Sequence, residues 1–229
     1  MDKRPRLNIK PFKDVDGLIV ALETDGEKEF AKYLGTRDRK ENFEQDILLK
    51  SVGSNTYRRF ACKGGKHPSG VFREWANHQI QSETNTIKGI ELASQSAFDS
   101  WNEKFAAHFK NFWDQRMAES INYGPSRKIP NLLLKRLLLW TDIEHGSGKK
   151  LLSFLHVPWD SYTLNAIRLC ASEISLPKKP SMKDVDTKEK YESLLNLTRK
   201  ACKKASVPPI YLDTLAWNKS HPERARQKD

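Results

Sequence analysis

From Val71 onward the apolar positions recur every three or four residues, and no segment shows the strict alternation of a half-buried strand. Phe72, Trp75, Ala76, Gln79 and Ile80 share one helical face. Within Thr86 to Phe98, Ile87, Ile90, Ala93 and Ala97 share another. Trp101, Phe105, His108, Phe109 and Phe112 form an aromatic face, which for most of these residues reads best as core packing. Ile129 to Trp140 is leucine-rich and too long for a buried strand, so it predicts a buried helix. Pro130 fits its first turn, where the backbone has no intrahelical donor to lose. Asn122 to Arg127, with Gly124-Pro125, reads as a turn ahead of it. Asp160 or Ser161 can cap the next helix, which carries Leu164, Ile167 and Ala171. Leu176 to Lys183 is a Pro/Lys-rich linker. Asp186 or Thr187 can cap a helix running to Lys204. Val207-Pro208-Pro209-Ile210 breaks it, and Tyr211 to Asn218 forms a last short helix.

The first 60 or so residues are less regular. Leu18 to Leu22 fits either a short strand or a buried helical turn. Glu27 to Leu34 reads as a helix with Phe30, Tyr33 and Leu34 on one face, and Arg37 to Lys50 as a charged helix. Cys62 to Gly70 is a loop by its glycine and proline content. Gly64-Gly65-Lys66 resembles part of a phosphate-binding loop, but the full spacing and the preceding strand are missing, so no nucleotide site is read there. The expected organisation is an irregular N-terminal region over 1–70, a helical domain over 71–220 and a charged tail over 221–229.

Composition adds a partner. The 229 residues carry a formal charge of +11, and the pI is about 9.5. Such a balance favours a polyanion, most often nucleic acid. The three cysteines, Cys62, Cys170 and Cys202, stand at no metal-ligand spacing, and their odd, sparse count suits a reducing compartment. The first residues hold no apolar signal core, and no apolar run reaches membrane length. These features lead us to expect a cytoplasmic protein with no membrane partner.

Lys128 is the first residue with a chemical role to weigh. A lysine amine is a nucleophile only when unprotonated, and both burial and the positive end of a helix favour that form. Lys128 stands at the expected start of the apolar helix, where both are expected to act. An amine so placed can form a Schiff base with C1′ of a deoxyribose. Lys135, seven residues on, shares nearly the same face and competes for that role. The plain reading of each is a surface lysine whose stem covers apolar groups. Asp160 is plainly a helix cap, but a cap can also stabilise positive charge at a sugar. Asp213 and Trp217, four apart, share a helix face. A carboxylate beside an indole suits a flat heteroaromatic ring.

The lysine-led helix followed by Val157-Pro158-Trp159-Asp160 resembles the lysine and Val-Pro-x-Asp pair of helix-hairpin-helix DNA glycosylases of the 8-oxoguanine class. The separation, 160 − 128 = 32 residues, is similar to the archaeal 8-oxoguanine DNA glycosylase branch. Pro208-Pro209-Ile210-Tyr211-Leu212-Asp213-Thr214-Leu215-Ala216-Trp217 is similar to that branch's Pro-Pro-x-x-Leu-Asp-Thr-Leu-x-Trp ending. The likeness covers roughly Trp101 to Trp217.

The resemblance implies a mainly α, helix-hairpin-helix glycosylase-like fold. It implies Lys128 as Schiff-base nucleophile, Asp160 as its carboxylate partner, and Asp213, Trp217 and Trp101 as contacts to a flipped base. Gly124, Ser126 and Arg127 of the hairpin, and Gln79 in a helix placed near the lesion, would meet DNA. The implied activity is base release from damaged duplex DNA followed by β-elimination, by a monomer, with no metal or organic cofactor. The sequence also departs from the pattern. The hairpin lacks Gly-x-Gly, Leu132 stands where an aromatic is usual, the segment from Trp101 to Lys128 is short, and the first 70 residues have no counterpart. The absence of a four-cysteine cluster excludes the iron–sulfur subgroup. The rival expectation is a non-catalytic DNA-binding module with this fold.

Overall fold

The computed structural model describes residues 10–35, 43–58, 60, 67–83, 94–141 and 146–220. The protein is mainly helical, and the described residues contain no strand. The chain forms two compact units, Met1–Thr36 with His156–Asp229, and Arg37–Leu155. The first unit therefore joins the two ends of the chain.

In that unit, α1 (Val15–Ala21) runs through a five-residue π turn, Leu22–Gly26, into α2 (Glu27–Leu34). The segment from Leu18 to Leu22 is thus helix, and the described part of the N-terminal region is not irregular as the sequence suggested. Asp14 caps α1 by accepting from the Gly17 amide at 2.7 Å. The other helices are α9 (Ser161–Ile167), α10 (Lys188–Lys204) and α11 (Tyr211–Ser220). α11 packs on α2, on the π turn and on α9, while α1 packs on α10. Phe30 stacks on Tyr211 with centroids 4.6 Å apart. The Phe12 amide donates to the Ala166 carbonyl at 2.8 Å, and Asn218 donates to Glu29. Cys170 and Cys202 are free and buried, and burial pushes their thiols up to about 11 and about 12.

The second unit contains α3 (Phe43–Lys50), α4 (Ser54–Tyr57), α5 (Pro68–Glu83), α6 (Gln95–Asp114), α7 (Tyr123–Leu137) and α8 (Gly146–Phe154). A 3-10 turn, Leu138–Trp140, continues α7. Trp75, Phe72, Phe98, Phe109 and Trp113 are fully buried, so most of the α5 and α6 aromatic faces form core. The expected helical face from Thr86 to Ala93 lies outside the described residues, as do Cys62 and the Gly64-Gly65-Lys66 segment. Polar groups also enter this core. Asp46 of α3, 1% exposed, receives a forked pair from Arg136 of α7 and an indole bond from Trp140 at 2.8 Å.

One expected element is overturned. Asn122–Arg127 is not a turn: helix α7 begins at Tyr123, and the Ser126 amide donates to the Asn122 carbonyl at 3.0 Å. Pro125 falls in the first turn, where its missing N–H costs nothing. Pro130 is then interior rather than N-terminal. It withholds the donor that the Ser126 carbonyl would otherwise receive.

Candidate functional site

Lys128 lies in the second turn of α7, further into the helix than its sequence setting implied. The helix-end field falls off within the first turn, so burial is the effect that acts on it there. The side chain is 9% exposed. Among the described residues its amine has one hydrogen-bond partner, the neutral Thr56 hydroxyl of α4 at 3.5 Å. Neither a carboxylate ion pair nor free solvent compensates this ammonium, an unusual state for a lysine. Lys135, 7% exposed, is also buried and has a partner of its own. Burial therefore does not separate the two lysines.

The four expected DNA contacts share this unit, and the structure corrects their surroundings. Gly124, Ser126 and Arg127 are buried in the first turns of α7 rather than displayed on a hairpin. The Ser126 amide is used inside the helix, and its hydroxyl donates to the Tyr123 carbonyl at 2.7 Å. Arg127, 4% exposed, forms an ion pair with Glu103, donates to the Asn102 carbonyl at 3.3 Å and lies over the Tyr123 ring. Its charge is thus answered within the fold. Gln79 is 5% exposed on the inner face of α5. Trp101 of α6 is half-buried and stacks on Phe105 with centroids 4.7 Å apart at 17°. Leu132 is half-buried.

Asp160, Asp213 and Trp217 belong to the other unit. Asp160 caps α9: its Oδ1 accepts from the amides of Tyr162 at 2.8 Å and Thr163 at 2.9 Å. Thr163 returns the contact by accepting from the Asp160 amide at 2.9 Å, completing a capping box. All its side-chain bonds use Oδ1, so Oδ2 has no partner among the described residues. Asp213 is buried in the first turn of α11, and Trp217 stands one turn later with 39% of its surface exposed. The Tyr162 ring meets the Trp217 indole edge-on at 4.8 Å. The cap, Tyr162, Trp217 and Asp213 thus share the packing of α9 on α11.

Two buried polar clusters escaped the sequence reading. His156 Nδ1 lies 2.9 Å from the Tyr191 hydroxyl, and Arg199 lies 3.2 Å from its Nε2. Asn102 donates to Asn131 at 3.0 Å, joining α6 to α7. Each joins residues 29 to 43 positions apart, with no local spacing to mark them.

No helix among the described residues is long and apolar enough to cross a membrane. Among them, no group of three or more His, Cys, Asp or Glu can hold a metal ion. Comparison with protein-family models, with curated proteins and with solved structures finds no match.

Proposed function

We propose that this chain is a DNA glycosylase with abasic-site lyase activity, acting on an oxidised purine, 8-oxoguanine, in duplex DNA. The observation that carries the reading is Lys128: a buried amine with only a neutral hydroxyl beside it, in the helix whose sequence resembles the nucleophile helix of these enzymes. In this reading the flipped nucleotide presents C1′ to the neutral amine. A C–N bond forms as the glycosidic bond breaks, and the base leaves with the electron pair and takes up a proton. Loss of the amine proton and opening of the sugar ring give an imine. Removal of a C2′ proton then expels the 3′ phosphate. Asp160 keeps one carboxylate oxygen for its cap, and the other is available to stabilise positive charge at the sugar. Asp213 and the half-exposed face of Trp217 supply a carboxylate and an indole for the base. The charge of +11 suits a phosphate backbone.

The test is borohydride trapping on duplexes that carry 8-oxoguanine, an abasic site or neither. A covalent adduct on damaged DNA that disappears in Lys128→Gln is the expected result. Loss in Lys135→Gln instead, with Lys128→Gln active, would move the nucleophile. A second reading, a non-catalytic recognition module, is favoured by the inward placement of Gln79, Ser126 and Arg127. Lesion-dependent binding with no adduct would establish it.

A further inference from the structure

The second unit holds a cavity of about 590 Å³, within the range of about 300–1,000 Å³ usual for small-molecule sites. Leu48, Leu49, Val52, Phe60 and Phe72 supply apolar wall, and Tyr57, Arg58, His67, Ser69 and Arg73 supply polar groups. The described lining includes no acidic residue.

The polar groups are organised. His67 Nδ1 accepts from the Ser69 amide at 3.2 Å, which fixes it as an acceptor, and the Ser69 hydroxyl donates to the same nitrogen at 2.7 Å. The proton of the neutral ring therefore sits on Nε2. Arg73 Nε donates to the Ser69 carbonyl at 3.1 Å and a terminal nitrogen donates to the Ser69 hydroxyl at 3.3 Å. The other terminal nitrogen, and the whole of the exposed Arg58 guanidinium, have no partner among the described residues. His67 and Ser69 already satisfy the start of α5, so its backbone amides are not the binding groups.

Tyr57 is the independent observation. It is 5% exposed, and its hydroxyl is buried with no hydrogen-bond partner among the described residues. A buried hydroxyl without a partner costs about 1–3 kcal/mol. Burial pushes the phenol far above its ordinary range, and the nearby Arg73 charge opposes that only in part. A ligand atom at the inner end of the cavity would satisfy this group.

We propose that this cavity binds a mononucleotide: the phosphate on Arg73, Arg58 and the His67 Nε2–H, the base against Phe72 and Phe60, and a polar base or sugar atom on the Tyr57 hydroxyl. The inference does not rest on the glycosylase reading, because none of these residues belongs to the site described for it. It uses none of the loop residues whose Gly-Gly-Lys failed the phosphate-loop pattern.

The experiment is calorimetric titration of the full chain with 2′-deoxyguanosine 5′-monophosphate, with deoxyguanosine, and with a single-stranded oligonucleotide. Saturable binding of the mononucleotide is expected. Deoxyguanosine should bind at least tenfold more weakly, and Arg73→Gln and Arg58→Gln should each weaken the mononucleotide at least tenfold. Arg58 is exposed, so its variant tests the site even if Arg73→Gln disturbs α5. Tyr57→Phe should weaken binding while leaving the melting temperature of the free protein equal or higher, since it deletes an unsatisfied hydroxyl. A lowered melting temperature for Tyr57→Phe would mean that the hydroxyl is satisfied by the protein, and would overturn the proposal. So would absence of mononucleotide binding, or binding indifferent to both arginines. Binding of the oligonucleotide alone would give this face to a nucleic-acid strand and would also overturn it.

Discussion

Asp160 serves as a cap and, in the proposed reaction, as a charge stabiliser, and two substitutions separate these roles. The cap consists of one carboxylate oxygen accepting two backbone amides at 2.8 and 2.9 Å. Asparagine retains an acceptor oxygen there and is about as good a cap as aspartate, whereas alanine removes the cap at a cost of about 1 kcal/mol. In a chain of 229 residues, about 1 kcal/mol corresponds to roughly 2–4 °C in melting temperature. Asp160→Ala is therefore expected to melt about 2–4 °C lower and Asp160→Asn within about 1 °C of the parent. The chemical role needs a negative charge, so both variants should release base from 8-oxoguanine duplexes much more slowly than the parent in single-turnover assays. The loss should be at least tenfold, or about 1.4 kcal/mol of transition-state stabilisation. Thermal melts and single-turnover rates on the same preparations give both readouts. If Asp160→Asn melts as low as Asp160→Ala, the charge itself is structural. If Asp160→Asn retains full activity, Asp160 has no part in the chemistry.

The buried pair of Asp46 and Arg136 gives a stability prediction. Asp46→Asn or Arg136→Met alone should cost about 3–5 kcal/mol by leaving one charge uncompensated, while Asp46→Leu with Arg136→Met should cost less than either. Equal costs for single and double variants, read by denaturant unfolding, would refute this. Asp114 gives a pH prediction: burial alone would raise its carboxyl, but hydrogen bonds from Lys110, the Ile121 amide and Ser120 outweigh this and hold it below its ordinary range. A depressed native value adds stability that is present above the unfolded value, about 3.9, and is lost as pH falls through the native one. The gap in unfolding midpoint between the parent and Asp114→Asn should accordingly be widest near neutrality and shrink below about pH 4, and a gap constant from pH 7 to pH 2 would exclude the assignment.

Local pattern determined the helical character of the chain, because a helix carries its own backbone bonds and declares its buried face every three or four residues. The faces of Phe72 to Ile80 and Trp101 to Phe112, the helices Glu27–Leu34, Lys188–Lys204 and Tyr211–Ser220, and the cap at Asp160 were legible for that reason. The start of α7 was not. Asn122-Tyr123-Gly124-Pro125 satisfies turn chemistry and first-turn helix chemistry equally, and only the packing of α7 on α6 and α3 selects the helix. That choice moved Lys128 into the second turn and turned Arg127 toward Glu103. Tertiary structure also decided every long-range polar pairing, Asp46 with Arg136 and Trp140, Asn102 with Asn131, and His156 with Tyr191 and Arg199. Partners that far apart in the chain meet only through the fold, and the same holds for the cavity that gathers Tyr57, Arg58, His67 and Arg73 from two helices and the turns beside them.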